Sequence, residues 1–410
     1  VDVYSAMSAR GVAEGHSRFT LGKALVAGQV AVSLVLLVAA GLLGGSLRNL
    51  ATADPGFTAE GVLITAVDMS RTGLESAQRG AAIATLVERL RAMPGVSSAA
   101  TADITPIGPT MWNDQIVVDG FTPHDERDAV VFFNEVSDGY FATLRTPFIT
   151  GRDFRSGDVA GGPRVAVIDE SVARKFFGTV NATGRTLRTR IGDDLSDPFT
   201  VIGVVRESRY RSLREDNSAA VYLAASQRDE RPRYVTLVAR VDGTPASLIP
   251  PLKAAVRDVH PAATVTFRAL DDQVAESLQR ERAMAVLSGL FGAVAVALAV
   301  LGLYGVIAYT AVRRRNEIGL RIALGADRRR VLSLVLADVV RILGAGLAVG
   351  LLGAIATGQL LSGFLYGLTA LEPAVLMAAA AGLAGVALCA GTLPGWRAAS
   401  MDPVSALRQE

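Results

Sequence analysis

A single cysteine, Cys389, and three histidines, His16, His124 and His260, are all that the 410-residue chain offers to thiol or imidazole chemistry. One cysteine cannot close a disulfide within the chain, so redox chemistry does not report its compartment. The histidines are scattered, with no partner at metal-ligand spacing, which argues against a zinc centre and against histidine-based catalysis. The phosphate loop G-x-x-x-x-G-K-S/T is also missing, since Gly22-Lys23 lacks both the upstream glycine and the following hydroxyl. If the protein uses ATP, another polypeptide hydrolyses it, and no cofactor is expected to bind the chain directly. Carboxylate pairs such as Asp193-Asp194 and Asp125-Glu126 sit beside turn residues and read as solvated loop charges. The formal net charge of +2 averages very different segments and gives no reason to expect a nucleic-acid partner.

Charge itself is missing from four long stretches of a chain that is 20% charged. The gaps contain 24 residues between Lys23 and Arg48, 30 between Arg282 and Arg313, 30 between Arg341 and Glu372, and 24 between Glu372 and Arg397. Each is long enough to cross a hydrocarbon core of about 30 Å. A charged side chain at the bilayer centre costs about 2.5 kcal/mol or more, so four such gaps select for lipid. Buried helices of a soluble core would instead show a polar face at helical period, which 25–47 and 284–312 do not. The third run carries Gly344, Gly346, Gly350, Gly353 and Gly358, which lower helix propensity, although glycine is common in membrane helices. The expected spans are 24–47, 283–312, 331–365 and 374–396. The first is too long for a signal-peptide core and has no small-residue cleavage pattern after it. It reads as a retained anchor, in a chain cut from something longer.

Seven arginines lie between Arg313 and Arg330, whereas the connection near 367–373 has no basic residue and contains Glu372. The positive-inside rule therefore places the loop 313–330 in the cytoplasm, together with the segment 1–23 and the tail 397–410. Residues 48–282 then lie outside the membrane, and the expected location is the cell's inner membrane. There the pattern becomes that of a soluble α+β domain. Two stretches, 62–103 and 234–269, each read as a β-α-β unit, and they are expected to pair into one small sheet. A strand-rich subdomain, 115–228, is inserted between them. The segment 271–282 runs without a breaker into the second span and reads as a stalk, one helix over about 271–312.

The spans hold no ionisable residue in their cores, which disfavours proton- or ion-coupled transport. Asp338 and Arg341, three residues apart at the margin of the third span, read as a local salt bridge. Gly41 with Gly45, and Gly346 with Gly350, have the four-residue spacing that lets helix backbones approach, and a contact between two copies is one use of it. The basic loop is also amphipathic: Ile318, Ile322 and Gly325 share a helical face. Such a helix touches lipid headgroups, or docks in a groove of a cytoplasmic partner.

The stretch Asn316–Ala326, NEIGLRIALGA, closely resembles the cytoplasmic loop of FtsX-like and MacB-like ABC permeases. Ser137-Asp138-Gly139-Tyr140-Phe141, Gly151-Arg152-Asp153-Phe154, the run 165–177, Gly184-Arg185 and the strand 201–206 resemble the MacB-like periplasmic core. The ending from Arg397-Ala398-Ala399 to Asp402-Pro403-Val404-Ser405-Ala406-Leu407-Arg408 is similar to the carboxyl terminus of these permeases. Arg18-Phe19 followed by Lys23-Ala24-Leu25 looks like the start of the second half of the duplicated permeases of acidobacteria. The resemblance implies a dimer or pseudo-dimer, formed with a second copy or a fused homologous half and driven by a cytoplasmic ABC ATPase. It assigns the coupling helix to Glu317, Ile318, Gly319, Arg321, Leu324, Gly325 and Ala326. It leaves room for a periplasmic partner, and for efflux or mechanotransmission as the output. The competing expectation is a membrane-anchored binding or scaffold module without ATP coupling; an enzyme acting outside the membrane ranks third.

Overall fold

The computed structural model of the protein describes residues 3–191, 194–215, 219–228, 230–313 and 328–399. Its helices are α1 (Val3–Thr52), α2 (Ser76–Arg91), α3 (Tyr140–Leu144), α4 (Glu170–Phe177), α5 (Ile249–Val259), α6 (Leu270–Ser277), α7 (Gln279–Arg313), α8 (Arg328–Leu361) and α9 (Pro373–Ala399). Its first six strands are β1 (Val62–Asp68), β2 (Val96–Ala102), β3 (Asn113–Val117), β4 (Val130–Val136), β5 (Phe148–Gly151) and β6 (Val165–Asp169). The other six are β7 (Thr186–Ile191), β8 (Asp194–Leu195), β9 (Phe199–Val205), β10 (Ala220–Ala224), β11 (Tyr234–Val241) and β12 (Thr264–Ala269). The chain divides into two compact units, a helical one from residues 1–52 and 280–410 and a mixed one from 53–279.

In the helical unit four segments are long and apolar enough to cross a membrane: Leu21–Thr52, Gln279–Thr310, Leu336–Phe364 and Pro373–Thr392. Val26, Val30, Leu34, Val38 and Leu42 repeat every four residues along α1 and form the seam of the unit's core. Three of the glycines that lower the helix propensity of α8 have a packing reason against α1. A Cβ on Gly346 would lie 2.7 Å from the Val30 side chain and 2.8 Å from the Ala27 carbonyl oxygen. On Gly350 it would lie 2.9 Å from the Ala31 backbone, and on Gly353 2.9 Å from Val35. The third apolar run is thus a continuous helix whose glycine side lies against α1.

The mixed unit contains an antiparallel sheet in the order β2-β11-β1-β12, with α2 and α5 over one face. This is the split β-α-β arrangement, with the two units interleaved: β11, from the second, lies between β1 and β2 of the first. Leu63, Val67, Leu237, Ala239 and Val241 point into the core beneath Leu86, Leu90 and Leu252. Residues 113–224 are inserted between β2 and β11. Their strands pair in the order β10-β6-β9-β7-β3-β4, and the parallel pairing of β10 with β4 closes the path into a ring of six. A second core with Phe133, Ile168, Val201 and Val221 fills it. A single pairing, Ala102 with Val136, joins ring and sheet. Asp169 at the end of β6 accepts from the Val172 and Ala220 amides, both at 2.8 Å, so one carboxylate caps α4 and holds β10.

The expectation of a single helix over 271–312 is corrected. α6 ends at Ser277 and α7 starts at Gln279, with Leu278 between them at φ −95° and ψ 1°. Leu278 still donates its amide to the Ala275 carbonyl at 3.2 Å as the chain turns out of α6.

The glycine contacts make a prediction. Gly346→Ala forces α1 and α8 apart and should destabilise the protein by about 1–3 kcal/mol. Gly344→Ala, whose added Cβ meets nothing within 4 Å, should not. Denaturation of both variants in detergent micelles distinguishes them, and equal stability would remove the packing role.

Candidate functional site

The residues expected to form the coupling helix, Glu317, Ile318, Gly319, Arg321, Leu324, Gly325 and Ala326, lie outside the described residues. What the structure does place is the packing of the helices on either side of that loop, and the two points where the chain joins the mixed unit.

The glycine pairs are brought together with partners inside the chain. A Cβ on Gly41 would lie 2.7 Å from Val375 of α9, and on Gly45 2.8 Å from Leu368; Gly346 and Gly350 face α1. Within the chain, the close approach is used by α1 against α8, α9 and the connection before α9. Arg341 donates to Asp338 at 3.2 Å, and Lys23 of α1 reaches the same buried carboxylate at 3.4 Å. The local salt bridge expected from sequence is half of a cluster that ties two helices. At the other end of α1, the Tyr366 amide donates to Ser46 Oγ at 2.9 Å, and Asn49 donates to the Gly367 carbonyl at 3.1 Å.

In the mixed unit, residues 53–60 lead into β1 and are held by backbone contacts. The Thr58 amide donates to the Leu144 carbonyl and the Arg209 amide to the Pro55 carbonyl, each at 2.8 Å. Gly56 has φ +80°, and any Cβ there would strike the Glu207 carbonyl. Arg240 is the centre of the fastening. Its neighbours Leu237, Ala239 and Val241 point into the α2/α5 core, so strand alternation turns Arg240 to the opposite face, where α3 lies. There, 5% exposed, it donates to the carbonyls of Thr58, Glu60 and Thr143, each at 2.7 Å. Burial, and then the charge of Arg145, pull its guanidinium below the usual value. Three carbonyl dipoles hold the charge without a carboxylate.

The chain leaves the unit through α6, where buried Gln273 donates to Thr105 Oγ1 at 3.0 Å and to the Pro106 carbonyl at 2.8 Å. The two junctions belong to paired strands. β1 and β12 are antiparallel, with Leu63 opposite Ala269, so the start of β1 and the end of β12 lie together at one end of the sheet. Sequence reasoning passed over Arg240, Gln273 and the role of Lys23. The signal for Arg240 was a lone charge in the apolar strand Tyr234–Val241. For Gln273 there was none. Among the described residues, no three His, Cys, Asp or Glu side chains gather where they could hold a metal ion.

Comparison with known proteins adds the family. Residues 24–259 match the MacB-like periplasmic core domain, and residues 289–403 match the FtsX-like permease C-terminal region. The pyoverdine export ATP-binding/permease protein PvdT of Pseudomonas entomophila is 30% identical over 284 residues, covering 66% of this chain and 41% of its own. The macrolide export ATP-binding/permease protein MacB of Burkholderia cenocepacia is 27% identical over 315 residues, covering 72% of this chain and 45% of its own. The chain spans about half the length of the curated relatives it matches. Among solved structures, the periplasmic region of MacB from Actinobacillus actinomycetemcomitans matches at 16% identity and a TM-score of 0.37, covering 55% of this chain and 95% of its own.

Arg240→Met keeps the apolar stem but leaves three carbonyls, the buried one of Thr143 and the part-buried ones of Thr58 and Glu60, without their donor. It should destabilise the mixed unit by about 2–3 kcal/mol, and Arg240→Lys by less, because an ammonium can still donate to part of the set although it cannot face all three carbonyls. Urea unfolding measures both; an Arg240→Met curve that overlays the wild type would refute the fastening.

Proposed function

This chain belongs to the family of MacB-like, FtsX-like ABC permeases, and from that premise we propose that it passes force between a partner ATPase and an extracytoplasmic domain. In this reading the loop 313–330 and both termini face the cytoplasm of a cell whose inner membrane the four spans cross. The segment Glu317–Asp327 docks in a cytoplasmic ABC ATPase, which hydrolyses the ATP. A second copy or a fused homologous half completes a dimer or pseudo-dimer, and movement of the mixed unit drives efflux or engages an external partner. The names of the relatives join ATP binding and export to a permease; these 410 residues hold no phosphate loop, so in this reading the ATP-binding role lies outside them.

The observation that carries the reading is the pair of junctions at one end of the β1/β12 ladder. Force needs stiff attachments, and the first junction is pinned through Arg240 and the second through Gln273. A tethered scaffold would need one anchor and no second fastening.

The test is co-purification. Affinity-tagged protein extracted from its native membrane should recover an ABC ATPase, and Glu317→Ala with Arg321→Ala should cut the recovered ATPase about tenfold while leaving the amount of folded protein in the membrane unchanged. Unaltered ATPase recovery and activity in that double variant would overturn the coupling assignment.

A further inference from the structure

The mixed unit contains a cleft that the transmission reading does not use. It has a volume of about 240 Å³ and lies between α2, the ends of β2 and β4, and the connection from β10 to β11. One wall is apolar: Ile83, Ala84 and Val87 of α2 face Pro232 and Val235. The opposite side is polar. Arg228 sets one guanidinium nitrogen between two carboxylates, 2.5 Å from Asp103 Oδ2 and 2.7 Å from Glu135 Oε2.

Charge decides what such a cleft admits. Four carboxylates line it, Glu88, Asp103, Glu135 and Asp138, against three guanidiniums, Arg91, Arg228 and Arg231. Each arginine is committed within the unit. Arg91 bonds Glu88 at 3.2 Å and Asp138 at 3.1 Å, and donates to the Ala99 carbonyl at 2.9 Å. Arg231 donates to the carbonyls of Ala225 and Ser226, so that Arg228 is the guanidinium hydrogen-bonded to Asp103 and Glu135, with Arg231 adding only its charge near Glu135. One negative charge is in excess. Desolvation raises both the Asp103 and the Glu135 carboxyls above their usual values, against the pull of Arg228. A second cation beside them would offset part of that cost, whereas an anion would increase it.

We propose that this cleft is a binding site for a small cationic amphiphile, with its apolar body between Ile83, Val87 and Val235 and its ammonium or guanidinium group on Asp103 and Glu135. The volume corresponds to about eight waters of liquid, which fits one compact organic cation and not a folded partner. An apolar wall with a few convergent polar groups is the usual form of a small-molecule site. The proposal does not rest on ATP coupling and can fail or hold without it.

The test uses the full chain in lipid nanodiscs, with empty nanodiscs subtracted, and three probes that share one apolar body: 4-phenylbutylamine, 4-phenylbutan-1-ol and 4-phenylbutanoate. Calorimetric titration should show the amine binding about tenfold more tightly than the alcohol, and no binding of the carboxylate. Glu135→Gln should remove most of the amine's advantage while leaving the alcohol unchanged. Ala84→Phe, at an exposed position that projects into the cleft, should abolish binding of both without unfolding the domain. Absence of amine binding to the wild type, equal affinity for amine and alcohol, or undiminished amine binding to Ala84→Phe would each overturn the proposal.

Discussion

Helices in hydrocarbon gain nothing from burying apolar surface against one another, because lipid is as apolar as leucine, so close backbone approach must set their arrangement. The membrane unit of this chain follows from that constraint, and α1 is the element on which it acts. Gly346, Gly350 and Gly353 give α8 a flat side for α1, and Gly41 and Gly45 give α1 a flat side for α9 and the connection before it. Polar groups then fix the register at both ends, with Lys23 on Asp338 at one and Ser46 and Asn49 on residues 364–367 at the other. α7 differs. Ala299, Leu303 and Ile307 join the common core, while Val286, Leu290, Phe291, Val294, Leu298 and Leu301 face outward. A lipid-facing surface of that kind costs nothing in the membrane.

The mixed unit obeys the opposite solvent rule, since water drives its apolar faces inward and two cores form without glycine seams. Its difficulty lies in the irregular backbone where the chain joins it, because buried carbonyls outside strands and helices have no automatic partners. One arginine serves the carbonyls of Thr58 and Glu60 in the entering segment and that of Thr143 in the last turn of α3, and one glutamine serves the loop at 105–106. These bonds fix the position of the backbone itself and not merely of the side chains.

The parts of this structure that depend on local composition were legible in the sequence. Uncharged runs gave four spans, and the motifs around Gly139, Gly151 and Gly184 gave the family. Nonlocal pairing was not legible: no spacing says that β11 inserts between β1 and β2, or that β10 returns to β4 and closes a ring. The glycine pairs show the limit most clearly. A four-residue spacing states that a backbone can come close, but not which backbone, and the partners found within the chain are those of α1 with α8 and α9. The break at Leu278 was hidden for another reason, since neither glycine nor proline marks it. Arg240 was visible as a charge within an apolar strand, but three carbonyls brought from separate parts of the chain supply its meaning.

Why the two junctions should be fastened so firmly follows from the topology of the split β-α-β sheet. Its first and last strands are sequence-distant but adjacent, and because they run antiparallel, the beginning of one lies beside the end of the other. A chain that enters before β1 and leaves after β12 therefore attaches its two membrane connections to one end of one ladder. Moving either connection alone would shear the pairs from Leu63 with Ala269 to Asp68 with Thr264, together with the bonds that Arg240 and Gln273 make. Hydrogen-bonded strands resist that displacement cooperatively, whereas a loop would absorb it. The insertion point of the ring, between β2 and β11, lies away from this edge. The inserted segment is nevertheless tied to the first attachment, because Thr143, Leu144 and Arg209 bond to Arg240, Thr58 and Pro55, so a shift of the entering chain would be felt in the insertion as well as in the ladder.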